Sequence, residues 1–164
     1  ITGLVNNAGI GLLSMYGGGM ALHEVDTEDF RKIVDVNVTG VFLFSKYVVP
    51  ELIDAGRGNV VNISSGLGRR AAPNFGPYVG TKWALEGMLR TQSMELEDYA
   101  INVNGLDPGG RVNTALWDQL PEEEREEILQ PDVMDDAAVA LLAQGPDGVT
   151  GESMAAEEWE RKLR

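Results

Sequence analysis

The chain has 164 residues, 43% of them hydrophobic and 24% charged, which suits one domain with a sizeable core. It has no cysteine and one histidine, His23, so disulfides, thiol nucleophiles and a multi-histidine zinc site are excluded. Its 26 acidic residues against 13 basic ones give a net charge of −13, which repels nucleic-acid phosphates, and no apolar run approaches the ~20 residues that span a bilayer.

Strand-like and helix-like segments alternate, which predicts a parallel sheet with helices on its faces. A short strand at Leu4 and Val5 ends at Asn6-Asn7-Ala8-Gly9, and a loop through Gly17, Gly18 and Gly19 follows. Asp26 or Thr27 can cap the next helix, with Glu28 and Asp29 well placed against its positive end. That helix is expected to run to about Ala55, bending at Pro50 and closing at Gly56 and Gly58. Residues 59–65 form the next expected strand, built on Val60, Val61 and Ile63. Pro77 fits the first turn of a second long helix. Leu85, Met88, Leu89 and Leu96 make one apolar stripe on it, and Trp83 and Met94 make another face. Residues 101–106 read as a strand stopped by Asp107-Pro108-Gly109. Beyond it come an acidic helix over 121–129, a helix over 135–143 and a strand over 149–154. The acidic, lysine-poor surface (nine Arg, four Lys) fits either adaptation to concentrated salt, where screening removes self-repulsion, or ordinary variation sharpened by Glu122, Glu123, Glu124, Glu126 and Glu127.

Five motifs carry chemistry. Tyr78 and Lys82 are four apart at the start of a helix, so they share a face, and a nearby ammonium favours a phenolate. A phenol tuned in this way can exchange a proton. Alone, the pair is weak evidence, since Tyr and Lys four apart are more often a solvated helix pair. Ser65, in Asn62-Ile63-Ser64-Ser65-Gly66, ends a strand thirteen residues earlier, where ligands of open α/β sheets bind. Asn37 sits in Val36-Asn37-Val38-Thr39-Gly40, a run of poor helix formers inside an expected helix. A local rule broken inside an element marks a functional or strained position. The small residues of Asn6-Asn7-Ala8-Gly9 admit a close approach to the backbone. Asp107-Pro108-Gly109, with Thr114 beyond, is by itself only a turn.

In this order the motifs resemble the short-chain dehydrogenase/reductase family, whose pattern runs N-N-A-G, a helix-borne Asn, I-S-S, Y-x-x-x-K and P-G. The resemblance reaches to about Thr114. It implies a three-layer Rossmann-like α/β fold, a parallel sheet with helices on both faces. It also implies hydride transfer between NAD or NADP and an alcohol or carbonyl substrate. Tyr78 would be the acid/base, Lys82 would lower its pKa and bond the nicotinamide ribose, and Ser65 would orient the substrate oxygen. Asn37 would hold a water relaying protons from Lys82. Asn7, Ala8 and Gly9 would line the adenosine side of the cofactor, and Pro108, Gly109, Val112 and Thr114 its nicotinamide end. A cytoplasmic homo-oligomer, dimer or tetramer, pairing through its two long helices is expected, with no nucleic-acid or membrane partner.

The family's opening strand and T-G-x-x-x-G-x-G turn are not in this sequence. Residues 1–164 therefore correspond to the C-terminal two-thirds of one NAD(P)-binding Rossmann-type domain with its first strands missing, and the strand ending at Asn6 should be an exposed edge. By itself the chain is expected to lack dehydrogenase activity; the alternative is a non-catalytic remnant that serves as a binding or assembly partner. The segment that selects NAD over NADP is also missing. Four residues, not the family's three, separate Pro108-Gly109 from Thr114, and the charged residues 157–164 lack the family's Gly-rich ending. A serine hydrolase is disfavoured, with no G-x-S-x-G and only His23 to serve as base.

Overall fold

Parallel strands need long crossovers, which the helices between these apolar strands supply, and the strands pair in parallel. The computed structural model describes residues 1–118 and 120–163, Leu116 by its backbone alone. Four parallel strands lie in the order β1 (Gly3–Asn6), β2 (Gly58–Ile63), β3 (Ile101–Asp107) and β4 (Ser153–Ala155). Leu4 is in register with Val60, and Val60 with Val103. Among the described residues β1 pairs only with β2, so it is a sheet edge, and Val5 on it is exposed.

The helices are α1 (Leu12–Tyr16), α2 (Thr27–Val34), α3 (Gly40–Asp54), α4 (Gly76–Glu95), α5 (Glu122–Glu126), α6 (Asp135–Leu142) and α7 (Ala156–Leu163). Asp26 caps α2, its carboxylate accepting from the Glu28 N–H at 2.7 Å. Successive strand residues point to opposite faces, and each face has its own core. Val60, Val103 and Leu4 pack with Leu52 of α3 and Leu89 of α4. Val61 and Leu106 pack with Ala137 and Leu141 of α6 and Trp159 of α7. This is the expected three-layer arrangement with helices on both faces.

A polar row also crosses the sheet. Asn59 Nδ2 donates to the Leu142 and Gln144 carbonyls, both at 3.0 Å. Asn102 Nδ2 donates to Asn59 Oδ1 and to the Gly145 carbonyl, both at 2.9 Å. Asn104 donates to the Val149 carbonyl at 2.6 Å. These buried amides satisfy the backbone after α6. The strand expected over 149–154 is consequently confined to 153–155, because Asn104 and Val103 hold the segment before it through the Val149 carbonyl, the Thr150 hydroxyl and the Gly151 N–H.

One other expectation is corrected, and two features appear that the sequence reading did not include. The acidic helix spans only Glu122–Glu126; Glu122 and Glu126 repel across one turn, and no apolar stripe offsets that. Residues 157–163 belong to a packed helix, with Trp159 fully buried and its Nε1 donating to the Gly105 carbonyl at 2.8 Å. The helical stretch Thr27–Asp54 is, by length and composition, apolar enough to cross a membrane, with a mean hydropathy of 1.3 over its most apolar window. Val41, Ser45 and Leu52 of α3 face inward, and Phe42, Phe44 and Tyr47 stand exposed.

Candidate active site

The carboxyl ends of β1, β2 and β3 and the first turns of α4 meet at one place. Pro77 enters α4 in its first turn, and Thr81 Oγ1 donates back to the Tyr78 carbonyl at 2.8 Å, which brings Tyr78 and Lys82 onto the face toward the strand ends. The buried Lys82 Nζ donates to the Ile63 carbonyl at 2.7 Å and lies 5.4 Å from the centre of the Tyr78 ring. Ser65 follows β2 in extended conformation and caps a short 3-10 turn, Gly66–Gly68, its Oγ accepting from the Leu67 N–H at 3.1 Å. The same side chain hydrogen-bonds the Tyr78 phenol. Ser65 is thus a turn cap and a partner of Tyr78 together.

Asn37 occupies a π-helical turn, Asp35–Thr39, between α2 and α3. Here the poor helix formers coincide with a wound-out ladder, a geometry frequent at functional sites. Its Oδ1 accepts from the Ile10 N–H at 2.8 Å, and its Nδ2 donates to the Ile10 carbonyl at 2.9 Å and to Thr81 Oγ1 at 3.0 Å. Both amide protons are therefore committed to clamping the loop after β1 onto α4. That loop carries Asn7, Ala8 and Gly9, all exposed. A side-chain carbon at Gly9 would sit 3.7 Å from Lys82 Nζ, so the open loop borders the ammonium.

Electrostatics in the structure differ from the expectation that Lys82 holds the phenol low. The Tyr78 pKa is raised above 10, first by burial, with the Asp107 charge adding to it; the Ser65 hydrogen bond acts the other way. The Lys82 pKa is pulled down to about 8 by burial, and Glu86 acts against that shift. Burial outweighs the pairing for both groups. At neutral pH the phenol is protonated and the lysine carries its charge.

Pro108 and the exposed Gly109 follow β3, where the Gly109 N–H donates to Asp107 Oδ1 at 2.8 Å. Val112 is buried and bridges to Leu129, while Thr114 is exposed and precedes a short turn, Ala115–Trp117. Of the glycines at 17–19, Gly17 closes α1 in the left-handed region (φ 70°), a side chain at Gly18 would meet nothing within 4 Å, and at Gly19 one would meet the Asn74 carbonyl at 2.4 Å.

A charged cluster escaped the sequence. Glu86, one turn beyond Lys82, is buried and accepts from Ser153 Oγ at 2.7 Å and Arg69 Nη1 at 3.2 Å, as well as from Ser64 Oγ. Arg90 Nη2 lies 3.0 Å from its other oxygen. Arg69 also bonds Asp107. Burial works against the Arg69 cation, but the Asp107 and Glu86 carboxylates outweigh it and raise its pKa. These partners are 17 to 67 residues apart, and only the Arg90–Glu86 spacing, one helical turn, was visible as a local signal.

The donor set fits the nicotinamide end of a dinucleotide. An ammonium has three N–H donors, and Lys82 spends one on Ile63 beside an open glycine loop.

Residues 1–125 match the model of the short chain dehydrogenase family. A 2,5-dichloro-2,5-cyclohexadiene-1,4-diol dehydrogenase of Sphingobium indicum is 34% identical over 170 residues, covering 96% of this chain and 66% of that protein. A 3-oxoacyl-[acyl-carrier protein] reductase of Brucella melitensis, solved with bound NAD, superposes with a TM-score of 0.80 at 32% identity, over 94% of this chain and 60% of that one. A gluconate 5-dehydrogenase of Burkholderia cenocepacia, in complex with NADP and tartrate, gives 0.82 at 28% identity, over 94% and 62%. The chain thus spans 60 to 66% of the length of these relatives.

Proposed function

This chain belongs to the short-chain dehydrogenase family, and on that premise we propose that the protein is an oxidoreductase interconverting an alcohol and a carbonyl with NAD(H) or NADP(H), residues 1–164 forming the C-terminal two-thirds of its dinucleotide-binding domain. The observation that carries this is the convergence of Ser65 and Lys82 on one phenol, Tyr78, by hydrogen bond and over the ring face. Relatives solved with NAD and with NADP support the cofactor class.

When bound, the nicotinamide supplies or accepts the hydride. Tyr78 moves the proton. In carbonyl reduction its phenol gives the proton to the substrate oxygen as hydride reaches carbon; in alcohol oxidation its phenolate takes the hydroxyl proton as hydride leaves. A protonated phenol, which burial favours at Tyr78, is the state from which reduction starts. Ser65 holds the substrate oxygen within reach of Tyr78. Lys82 offers its remaining donors to the nicotinamide ribose. Asn37 fixes the loop that borders Lys82, and a relay water between Lys82 and solvent is assigned to its π-helical turn. Asn7, Ala8 and Gly9 are assigned to the adenosine side, and Pro108, Gly109, Val112 and Thr114 to the nicotinamide end.

The exposed Phe42, Phe44 and Tyr47 of α3 and Trp83 and Met94 of α4 support self-association through the two long helices. A groove of about 640 Å³ runs between those helices, on Phe42, Lys46, Val49, Met88 and Gln92; it contains none of Ser65, Tyr78 and Lys82. Sedimentation showing a strict monomer at micromolar concentration, in low and high salt, contradicts the assembly.

The experiment for the catalytic reading is consumption of NADH and NADPH with a panel of ketones and aldehydes, by the natural protein that contains these residues. Turnover with either cofactor supports the reading, and none with either cofactor on any substrate of the panel counts against it.

A further inference from the structure

We propose that Arg69 is a positioning residue for the Tyr78–Lys82 pair: by bridging Glu86 on α4 and Asp107 at the end of β3, it neutralises the two buried carboxylates that act on the pair. The inference takes its catalytic meaning from the oxidoreductase reading, but the geometry stands without it.

Arg69 directly follows the 3-10 turn that Ser65 caps. From there its guanidinium reaches three other elements: Glu86 on α4 at 3.2 Å, Ser153 on β4 at 3.0 Å, and Asp107 on β3. A planar cation with five donors in a fixed fork can hold such a set in register, which a lysine does less well. The side chains of Glu86 and Asp107 are only 4% and 2% exposed. Carboxylates so buried need a cation.

Each carboxylate has one target in the pair. Asp107 acts on the Tyr78 phenol, and Glu86 acts on the Lys82 ammonium. The charged groups on these elements are Lys82, Glu86, Arg90 and Glu95 on α4, the last exposed more than two turns beyond Glu86, with Arg69 and Arg70 before the helix and Asp107 on β3. The neutral neighbours are Ser153, Ser64, Ser65 and Asn37. Arg90 touches Glu86 alone, so Arg69 is the cation shared by both carboxylates. Without it Asp107 disfavours the phenolate more strongly and Glu86 holds the Lys82 proton more strongly. Both ionisations then move to higher pH. Removing the Asp107 charge by Asp107→Asn instead moves the phenol to lower pH, while the amide oxygen left in place can still accept from the Gly109 N–H.

The test reads Tyr78 directly. Ultraviolet phenolate absorbance is titrated in each background and the same background carrying Tyr78→Phe is subtracted, with no cofactor and no turnover required. Arg69→Met is expected to raise the Tyr78 midpoint by about one pH unit, a shift ordinary for an uncompensated nearby charge. Arg69→Lys should restore most of it, and Asp107→Asn should lower the midpoint. Where Arg69→Met does not fold, Asp107→Asn decides alone. An unmoved midpoint in Asp107→Asn, or in a folded Arg69→Met, overturns the inference. So does a pH–rate profile in which Arg69→Met slows alcohol oxidation by the same factor at every pH. If the natural protein turns over no substrate, the phenolate titration still decides the role of Arg69, and only the oxidoreductase reading falls.

Discussion

The wedge formed by β2, α4 and β3 and the segment that follows it, residues 108–130, are built on opposite principles. In the wedge every residue of β3 is buried, and Lys82, Glu86, Asn62 and Asp107 are buried polar groups with partners. In the following segment α5 has no buried residue. That segment is tied down by the Val112–Leu129 bridge, by Arg111 stacked 5.3 Å from the Trp117 ring centre, and by an Arg125–Asp118 ion pair at 3.0 Å. Proton-transfer groups must keep their mutual geometry to within a fraction of an ångström, so they sit where packing fixes rotamers. A segment that admits different substrates can be held weakly, as binding loops on rigid scaffolds are.

Lys82→Met sharpens the comparison most. Removing the ribose donor and the charge near Tyr78 should cost at least ~10²-fold in turnover and weaken cofactor binding as well. The same change should stabilise the fold. The folded Lys82 value, about 8, lies below 10.5, so between those values the unfolded chain binds more protons and this group's contribution to stability rises with pH. Below about pH 8 the buried ammonium costs on the order of 1–3 kcal/mol, which methionine removes. Urea unfolding of both proteins at pH 7 and 10 checks the sign: the gap in favour of the Lys82→Met variant should narrow at the higher pH.

Trp159→Ala probes the support behind the wedge. It empties a fully buried site and releases the Gly105 carbonyl, so it should cost about 3–5 kcal/mol. A loss under about 1 kcal/mol would mean that α7 is not a structural part of the sheet's second face. Asn102→Ala is a smaller test. It removes donors to Asn59 and to the Gly145 carbonyl, and about 1–3 kcal/mol should follow from the unpaired buried groups.

Arg111→Ala, in the weakly held segment, should change global stability by no more than about 0.5 kcal/mol while making residues 111–130 the first site of limited proteolysis. Cleavage appearing first in α4 or β3 would break the comparison.

How much of this was legible follows from the range of the interactions. The strands and long helices showed in runs such as Val60-Val61 and in the spacing of Leu85, Leu89 and Leu96. Asn37 showed because a run of poor helix formers disfavours an ordinary helix, and the π turn coincides with four of them, Val36 to Thr39. α7 was overlooked through its charges, although Ala156, Trp159 and Leu163 follow the helical period and all face the core. The Arg69 cluster and the asparagine row were not legible. Their partners come from separate elements, and nothing in the sequence states which arginine meets which carboxylate. The net direction of the Tyr78 ionisation was not legible for the same reason: spacing shows the lysine, whereas burial is a property of the assembled fold.

The most direct test of the central claim, that Tyr78 moves the proton, compares the natural protein with its Tyr78→Phe variant on one active substrate, with NADH or NADPH binding followed by fluorescence in the same samples. The account predicts nearly unchanged cofactor binding and a loss of turnover of ~10²–10⁴-fold. A variant that keeps more than about a tenth of the wild-type rate would contradict it.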